Sequence, residues 1–316
     1  MRRMLVTGGS GFIGQNLIAS ALNAGWSITS LDCSTFEGPP HERLTCYVGD
    51  ITHYADVVKA MEACSAVVHL AAQVSVQESI QNPEETMRIN VEGTQQVLDA
   101  AAQCGVSKIV LASSAAVYGN STDLPLREEA AGECISPYAV SKWLNEKQVY
   151  EVRQQGLDAI ALRFFNVYGL GQSVNSVYSA VIPTFVECMA MGGRPTVFGD
   201  GTATRDFVHV EDVASAILNL FDVDTRSSQE YVYNVATGNE ISLLNLIEVI
   251  NDILLEKGLL QKAITPDFKP ERQGDVVRSY ASIQRITQAM NWAPEIDFES
   301  RVGEMINAAI TRGQVN

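Results

Sequence analysis

Tyr138 and Lys142 stand four residues apart, a spacing that puts both side chains on one face of a helix with the ammonium beneath the phenol. A free phenol with a pKa near 10 is only about 0.1% ionised at neutral pH. Lowering that pKa by ~3 units takes ~4 kcal/mol of preferential phenolate stabilisation. A lysine charge beside the ring supplies part of it, so the pair reads as a general acid and base. The same spacing also arises on ordinary exposed helices. Context gives it weight, because Tyr138 opens a helical stretch after the apolar run that ends at Ser113-Ser114.

A second cluster lies near the start of the chain. Thr7-Gly8-Gly9-Ser10-Gly11-Phe12-Ile13-Gly14 follows a β-like run and opens a helix-like one. Glycines at such positions let a backbone approach a pyrophosphate, whose charge then sits on the free N–H groups at the positive end of the helix. Gly8, Gly11, Phe12, Ile13 and Gly14 are the candidate contacts. Asp32 ends the next strand 18 residues after Gly14. There a carboxylate accepts from the adenosine ribose hydroxyls and repels a 2′-phosphate, so the expected cofactor is NAD and not NADP. Asp50, followed by Ile51 after the third strand, could accept from the adenine amino group; a solvated turn acid is the competing reading.

These residues need a scaffold that brings strand ends together. Short β-branched runs at about 3–7, 27–31, 44–48, 66–70, 108–113 and 158–163 alternate with helix-like stretches at about 12–24, 53–62, 84–104 and 138–155. That alternation is the mark of an α/β protein with a Rossmann-type, doubly wound parallel sheet. Beyond residue 168 the order breaks, with helices near 178–191, 211–222, 242–257, 282–290 and 299–312 among shorter elements. The expected division is a dinucleotide domain over 1–168, which also takes elements from about 203–236, and a smaller α+β substrate lobe made mainly of 169–316.

The 316 residues carry 37 acidic and 22 basic side chains, and a formal charge of −15 argues against nucleic acid as a partner. With 46% hydrophobic and 19% charged residues the chain is expected to fold into a soluble globule. Six scattered cysteines without a C-x-x-C pair suit a reducing compartment. No apolar stretch reaches the ~20 residues that span a bilayer. A cytoplasmic protein with no membrane association is expected. The four histidines show no metal-ligand spacing, so no metal is expected either.

With the glycine loop in place, further segments fall into one order: His69-Leu70-Ala71-Ala72-Gln73, Asn90-Val91-Glu92-Gly93-Thr94, Ser113-Ser114-Ala115-Ala116-Val117-Tyr118-Gly119 and Tyr138-Ala139-Val140-Ser141-Lys142. Arg163-Phe164-Phe165-Asn166, Thr204-Arg205-Asp206-Phe207, Tyr233-Asn234-Val235 and Arg272-Gln273-Gly274-Asp275 continue it. The chain resembles, nearly end to end, the extended short-chain dehydrogenase/reductases, and within them the nucleotide-sugar 4-epimerases such as UDP-glucose and UDP-N-acetylglucosamine 4-epimerase.

The resemblance implies that Ser114 joins Tyr138 and Lys142 as the third catalytic member. It implies that Leu70, Ala71, Ala72, Gln73 and Asn90 line the cofactor, and that Asn166, Arg205, Arg272 and Asp275 contact the substrate, a UDP-sugar. Surface salt bridges for the arginines and turn capping for Asn166 are the competing roles. Related dehydratases carry an Asp-Glu pair where this chain has Ala115-Ala116, and related decarboxylases keep a Glu at the second position. Their absence fits an epimerase that oxidises carbon 4, lets the flat ketone turn over, and reduces its other face. UDP-GlcNAc and UDP-GalNAc are the expected pair, with UDP-Glc and UDP-Gal also open, because the residue seven beyond Arg272, Ser279, is small where a tyrosine would exclude an acetamido group. A one-residue slip would put Tyr280 there instead. A 4-ketoreductase or dehydrogenase, and a non-catalytic dinucleotide-binding protein, are the rival functions. The resemblance also implies a homodimer joined through a four-helix bundle of stretches 84–104 and 138–155, to which Val91, Val97, Leu98, Leu144 and Tyr150 would offer apolar contacts.

Overall fold

The computed structural model describes residues 2–172, 180–271 and 276–315. The first half runs β1 (Arg3–Thr7), α1 (Phe12–Asn23), β2 (Ser27–Asp32), β3 (Leu44–Val48), α2 (Tyr54–Met61), β4 (Ala66–His69), α3 (Val76–Gln81), α4 (Pro83–Met87), α5 (Gly93–Gln103), β5 (Lys108–Ser114), α6 (Pro137–Gln154) and β6 (Asp158–Phe164). There follow β7 (Asn166–Tyr168), α7 (Val181–Ala190), β8 (Thr196–Phe198), β9 (Thr204–Arg205), β10 (Phe207–His209), α8 (Val210–Leu220), β11 (Val232–Val235), β12 (Ile241–Ser242), α9 (Leu243–Glu256), β13 (Asp267–Lys269), β14 (Arg278–Ser279), α10 (Gln284–Met290) and α11 (Phe298–Val315).

Seven parallel strands form the central sheet in the order β11-β6-β5-β4-β1-β2-β3. Period-2 alternation in its strands divides the apolar residues between two cores. Met4, Val6, Val68, Val110, Ile160 and Leu162 meet α1, α8 and α10 on one face, whereas Leu5, Val67, Ile109, Leu111 and Ala161 meet α2, α5 and α6 on the other. The order reverses between β1 and β4, and the crevice beyond the carboxyl ends of these strands is where such sheets bind ligands. A third core joins α7, α9 and α11 through Phe185, Met189, Ile250, Leu254 and Ile306.

Two features escape the periodicity of the sequence. The stretch expected as one helix over 84–104 is α4, a π-turn at Arg88–Glu92, and α5. The seventh strand, β11, is four residues long and has too little pattern to be read as a strand. The apolar contacts expected between subunits also need correction, since Val97 and Leu98 are fully buried against the chain's own sheet. Leu144 and Tyr150 do face outward.

Candidate active site

The glycine loop leaves β1 and turns at Gly8, whose φ of +71° is a left-handed conformation that L side chains rarely adopt. A methyl group there would lie 2.6 Å from the Ala71 nitrogen, so Gly8 sits directly on the segment after β4. At Gly14 a methyl would lie 2.2 Å from the Gly8 carbonyl oxygen. Only glycine permits this fold of the loop onto α1. Gly11 is the N-cap of α1 and offers no side chain to cap it, so by helix geometry the N–H groups of Phe12 and Ile13 point out of the helix end toward the crevice. This is a backbone cradle for a pyrophosphate.

Asp32 ends β2 beside the loop. One carboxylate oxygen accepts from the Ser10 N–H at 3.0 Å, and the other from the Ser34 N–H at 2.9 Å. Asp50 spends one oxygen on Thr52, accepting from its N–H at 2.8 Å and its hydroxyl at 2.9 Å, and these bonds hold its carboxyl below its usual range against the opposing effect of burial. Ile51 is buried beneath Gly93 of α5. Leu70 to Gln73 stay half-buried along the crevice. Asn90 lies behind the 70–73 segment. It is fully buried, and its two amide hydrogens go to the Gln73 carbonyl and the Ser141 hydroxyl, both at 2.9 Å, while its side-chain oxygen accepts from the Gln73 N–H at 2.7 Å. Asn90 shapes the 70–73 segment from behind.

Ser114 ends β5 and accepts from the Ala116 N–H at 3.2 Å, opening the short 3-10 turn that carries Ala115 and Ala116. Tyr138 lies in the first turn of α6 and is hydrogen-bonded to Ser114. Two serines fix that turn: Ser136 accepts from the Ala139 N–H and Ser79 of α3 accepts from the Tyr138 N–H, each at 3.1 Å. Lys142 is buried one helical turn on, donates to the Ala112 carbonyl at 2.9 Å, and lies 6.0 Å from the Tyr138 ring centre.

Burial sets the charges. It raises the Tyr138 phenol, a rise that the Ser114 hydrogen bond partly offsets, and it lowers Lys142 to about 8. The protein's own groups therefore leave the Tyr138 phenol above its ordinary value.

Sequence reasoning does not single out Glu146. Ser113 donates to Glu146 at 2.5 Å, and Glu146 takes two hydrogen bonds from Arg163 of β6, at 2.8 and 2.7 Å. All three are buried. The signal was available, because Glu146 continues the face of Tyr138 and Lys142 by another four residues.

Farther along the chain, Asn166 of β7 donates its amide to the Asp206 carbonyl at 2.8 Å. Arg205 of β9 donates to the Thr204 carbonyl and stands opposite Ser279 of β14 in a parallel pairing. Residues in lateral register share a face of a sheet, so Ser279 rises beside Arg205. The side chains of Arg278 and Tyr280 keep together, the guanidinium 5.8 Å from the ring centre, and Arg278 pairs with Glu240, which also accepts from Thr204. Arg272 and Asp275 lie outside the described residues. Among the described residues no group of histidine, cysteine and carboxylate side chains is arranged to hold a metal ion, and no helix is long and apolar enough to cross a membrane.

A phosphate cradle at a switch point and a phenol over a buried ammonium define a class, the dinucleotide-dependent enzymes that exchange hydride with a hydroxyl-bearing carbon. The chain belongs to the NAD dependent epimerase/dehydratase family, whose model matches residues 4–236, and its cofactor is NAD. A protein of Methanocaldococcus jannaschii is 33% identical over 312 residues, covering 96% of this chain and 97% of its own. The UDP-N-acetylglucosamine 4-epimerase of Methanobrevibacter ruminantium, solved with UDP-N-acetylmuramic acid, superimposes with a TM-score of 0.90 at 32% identity, covering 98% of this chain and 99% of its own. The UDP-glucose 4-epimerase of Thermus thermophilus, solved with NAD, gives 0.83 at 29% identity, covering 98% and 99%.

Proposed function

We propose that this protein is a UDP-sugar 4-epimerase that retains its NAD and inverts carbon 4 through a transient 4-keto sugar. The observation that carries this reading is the Ala115-Ala116 turn directly after Ser114: these two positions carry methyl groups, and neither offers a carboxylate to eliminate water or to assist loss of carbon dioxide. NAD, when bound, accepts the carbon-4 hydride and returns it. Tyr138 takes the proton of the 4-hydroxyl, with Ser114 holding the substrate oxygen by a hydrogen bond. Lys142 places a charge beneath the phenol. The ketone then turns about its diphosphate anchor so that the hydride would return to the other face of carbon 4, and Tyr138 gives its proton back to the carbon-4 oxygen.

Asn166 and Arg205 are the anchor in this reading, and Arg272 and Asp275, which lie outside the described residues, are assigned to it by resemblance alone; a guanidinium fork meets phosphate oxygens in pairs. The side-by-side rise of Ser279 and Arg205 supports Ser279 as the wall next to the sugar's 2-substituent, and hence UDP-GlcNAc and UDP-GalNAc as substrates. The outward Leu144 and Tyr150 on α6 support a homodimer through the α5 and α6 faces. A mass of one subunit by light scattering at micromolar protein would count against that assembly.

The test of the catalytic assignment is Tyr138→Phe. Turnover should fall at least ~100-fold, the scale of a lost general acid and base, with NAD still bound. Near-native turnover in that variant would remove Tyr138 from the chemistry.

A further inference from the structure

His69, at the end of β4, is buried between two threonine hydroxyls. Its Nδ1 lies 2.7 Å from Thr7 Oγ1 and its Nε2 lies 2.9 Å from Thr94 Oγ1. The protons in this row have one consistent placement. Thr94 donates its single hydrogen to the Asn90 carbonyl at 2.6 Å, so it accepts from His69 Nε2–H. Thr7 Oγ1 accepts the Ala71 N–H at 3.3 Å, so its own hydrogen goes to Nδ1. Burial and the nearby Lys142 charge hold His69 down at about 3, so the ring is neutral and carries one proton.

We propose that His69 is a positioning residue that ties the dinucleotide's phosphate loop to the catalytic helix. Thr7 is the residue before Gly8, and Gly8 rests on Leu70 and Ala71. At the other end the π-turn at Arg88–Glu92 presents the Asn90 carbonyl to Thr94 and also to the Asn145 amide of α6, at 2.7 Å. The Asn90 side chain continues through the Ser141 hydroxyl, which donates to the Tyr138 carbonyl at 2.8 Å. The row thus runs without a break from the glycine loop to the backbone of Tyr138. The imidazole bridges Thr94 directly to Thr7. Removing either hydroxyl leaves a ring nitrogen buried and unpaired, and this loosens the opposite side of the ring as well.

The experiment measures NAD affinity by calorimetry on protein stripped of cofactor, for Thr7→Val, Thr94→Val and the double variant, with urea midpoints read in parallel. Thr7→Val and Thr94→Val should each weaken NAD binding about tenfold. The double variant should be no more than about twofold worse than the poorer single, where independent sites would multiply to about 100-fold. Thr94→Ser, which keeps the hydroxyl, should restore affinity to within about twofold of the parent. Unchanged NAD affinity in Thr94→Val, or effects that multiply, would overturn the proposal, because a threonine that only fills space lowers the urea midpoint without touching the phosphate loop. Should the double variant not fold, Thr94→Ser against Thr94→Val decides, and equal affinities overturn it.

Discussion

Ser279 stands opposite Arg205 in the parallel register of β14 and β9, so both side chains rise from one face of the small three-stranded sheet. A tyrosine at 279 would fill the space beside the arginine with a ring. Ser279→Tyr should therefore abolish activity on the N-acetylated sugar pair and leave activity on UDP-glucose, as read by product NMR on both substrates. If the variant keeps its N-acetyl activity, Ser279 is not the wall of the sugar site.

Asp32 accepts the Ser10 N–H with one oxygen while its carboxylate remains partly open at the end of β2. The parent protein should bind NAD at least about tenfold tighter than NADP, since a carboxylate there meets a 2′-phosphate as a like charge. Asp32→Ala should narrow that ratio, chiefly by losing NAD affinity. Equal affinity of the parent for both dinucleotides would contradict the role.

His69 ties stability to pH in a definite direction. Its ordinary pKa of 6.5 falls to about 3 in the folded protein, so between those values the unfolded chain takes up a proton that the folded chain does not. Stability from this group is complete above about 6.5 and is lost as pH falls toward 3. From pH 7 to pH 5 the loss comes to about 2 kcal/mol. His209, lowered to about 4, adds a similar slope. Urea unfolding of His69→Gln at the two pH values should show a smaller drop than the parent by about that amount. Identical pH dependence in both proteins would mean that His69 is not held neutral.

Most of the central sheet was legible in the sequence because its inner strands are buried on both faces and the helices are amphipathic, so β1 to β6 emerge as separate runs. Gly8 and Gly14 were legible because a close backbone approach demands one residue type. Asn90 was not, since a family motif marks where an asparagine is needed without saying whether its amide faces a ligand or a neighbouring loop. Its surroundings are made by Gln73 and Ser141, distant in the chain. The π-turn around it was hidden because the helical pattern continues on either side. The spacing of Glu146 from Lys142 was legible, but its pairing with Arg163 was not: buried charges are rare, and the fold is what brings these two together to neutralise each other.

The central claim is that one bound NAD serves both halves of a carbon-4 inversion. Purified protein is incubated with UDP-GlcNAc, and in parallel with UDP-glucose, without added dinucleotide, and the sugar products are resolved by proton NMR. The account predicts that the carbon-4 epimer of at least one substrate accumulates to equilibrium over many turnovers per enzyme, with no net oxidation of the sugar. Products that form only with stoichiometric added NAD or NADH, or a sugar nucleotide recovered unchanged from every incubation, would contradict it.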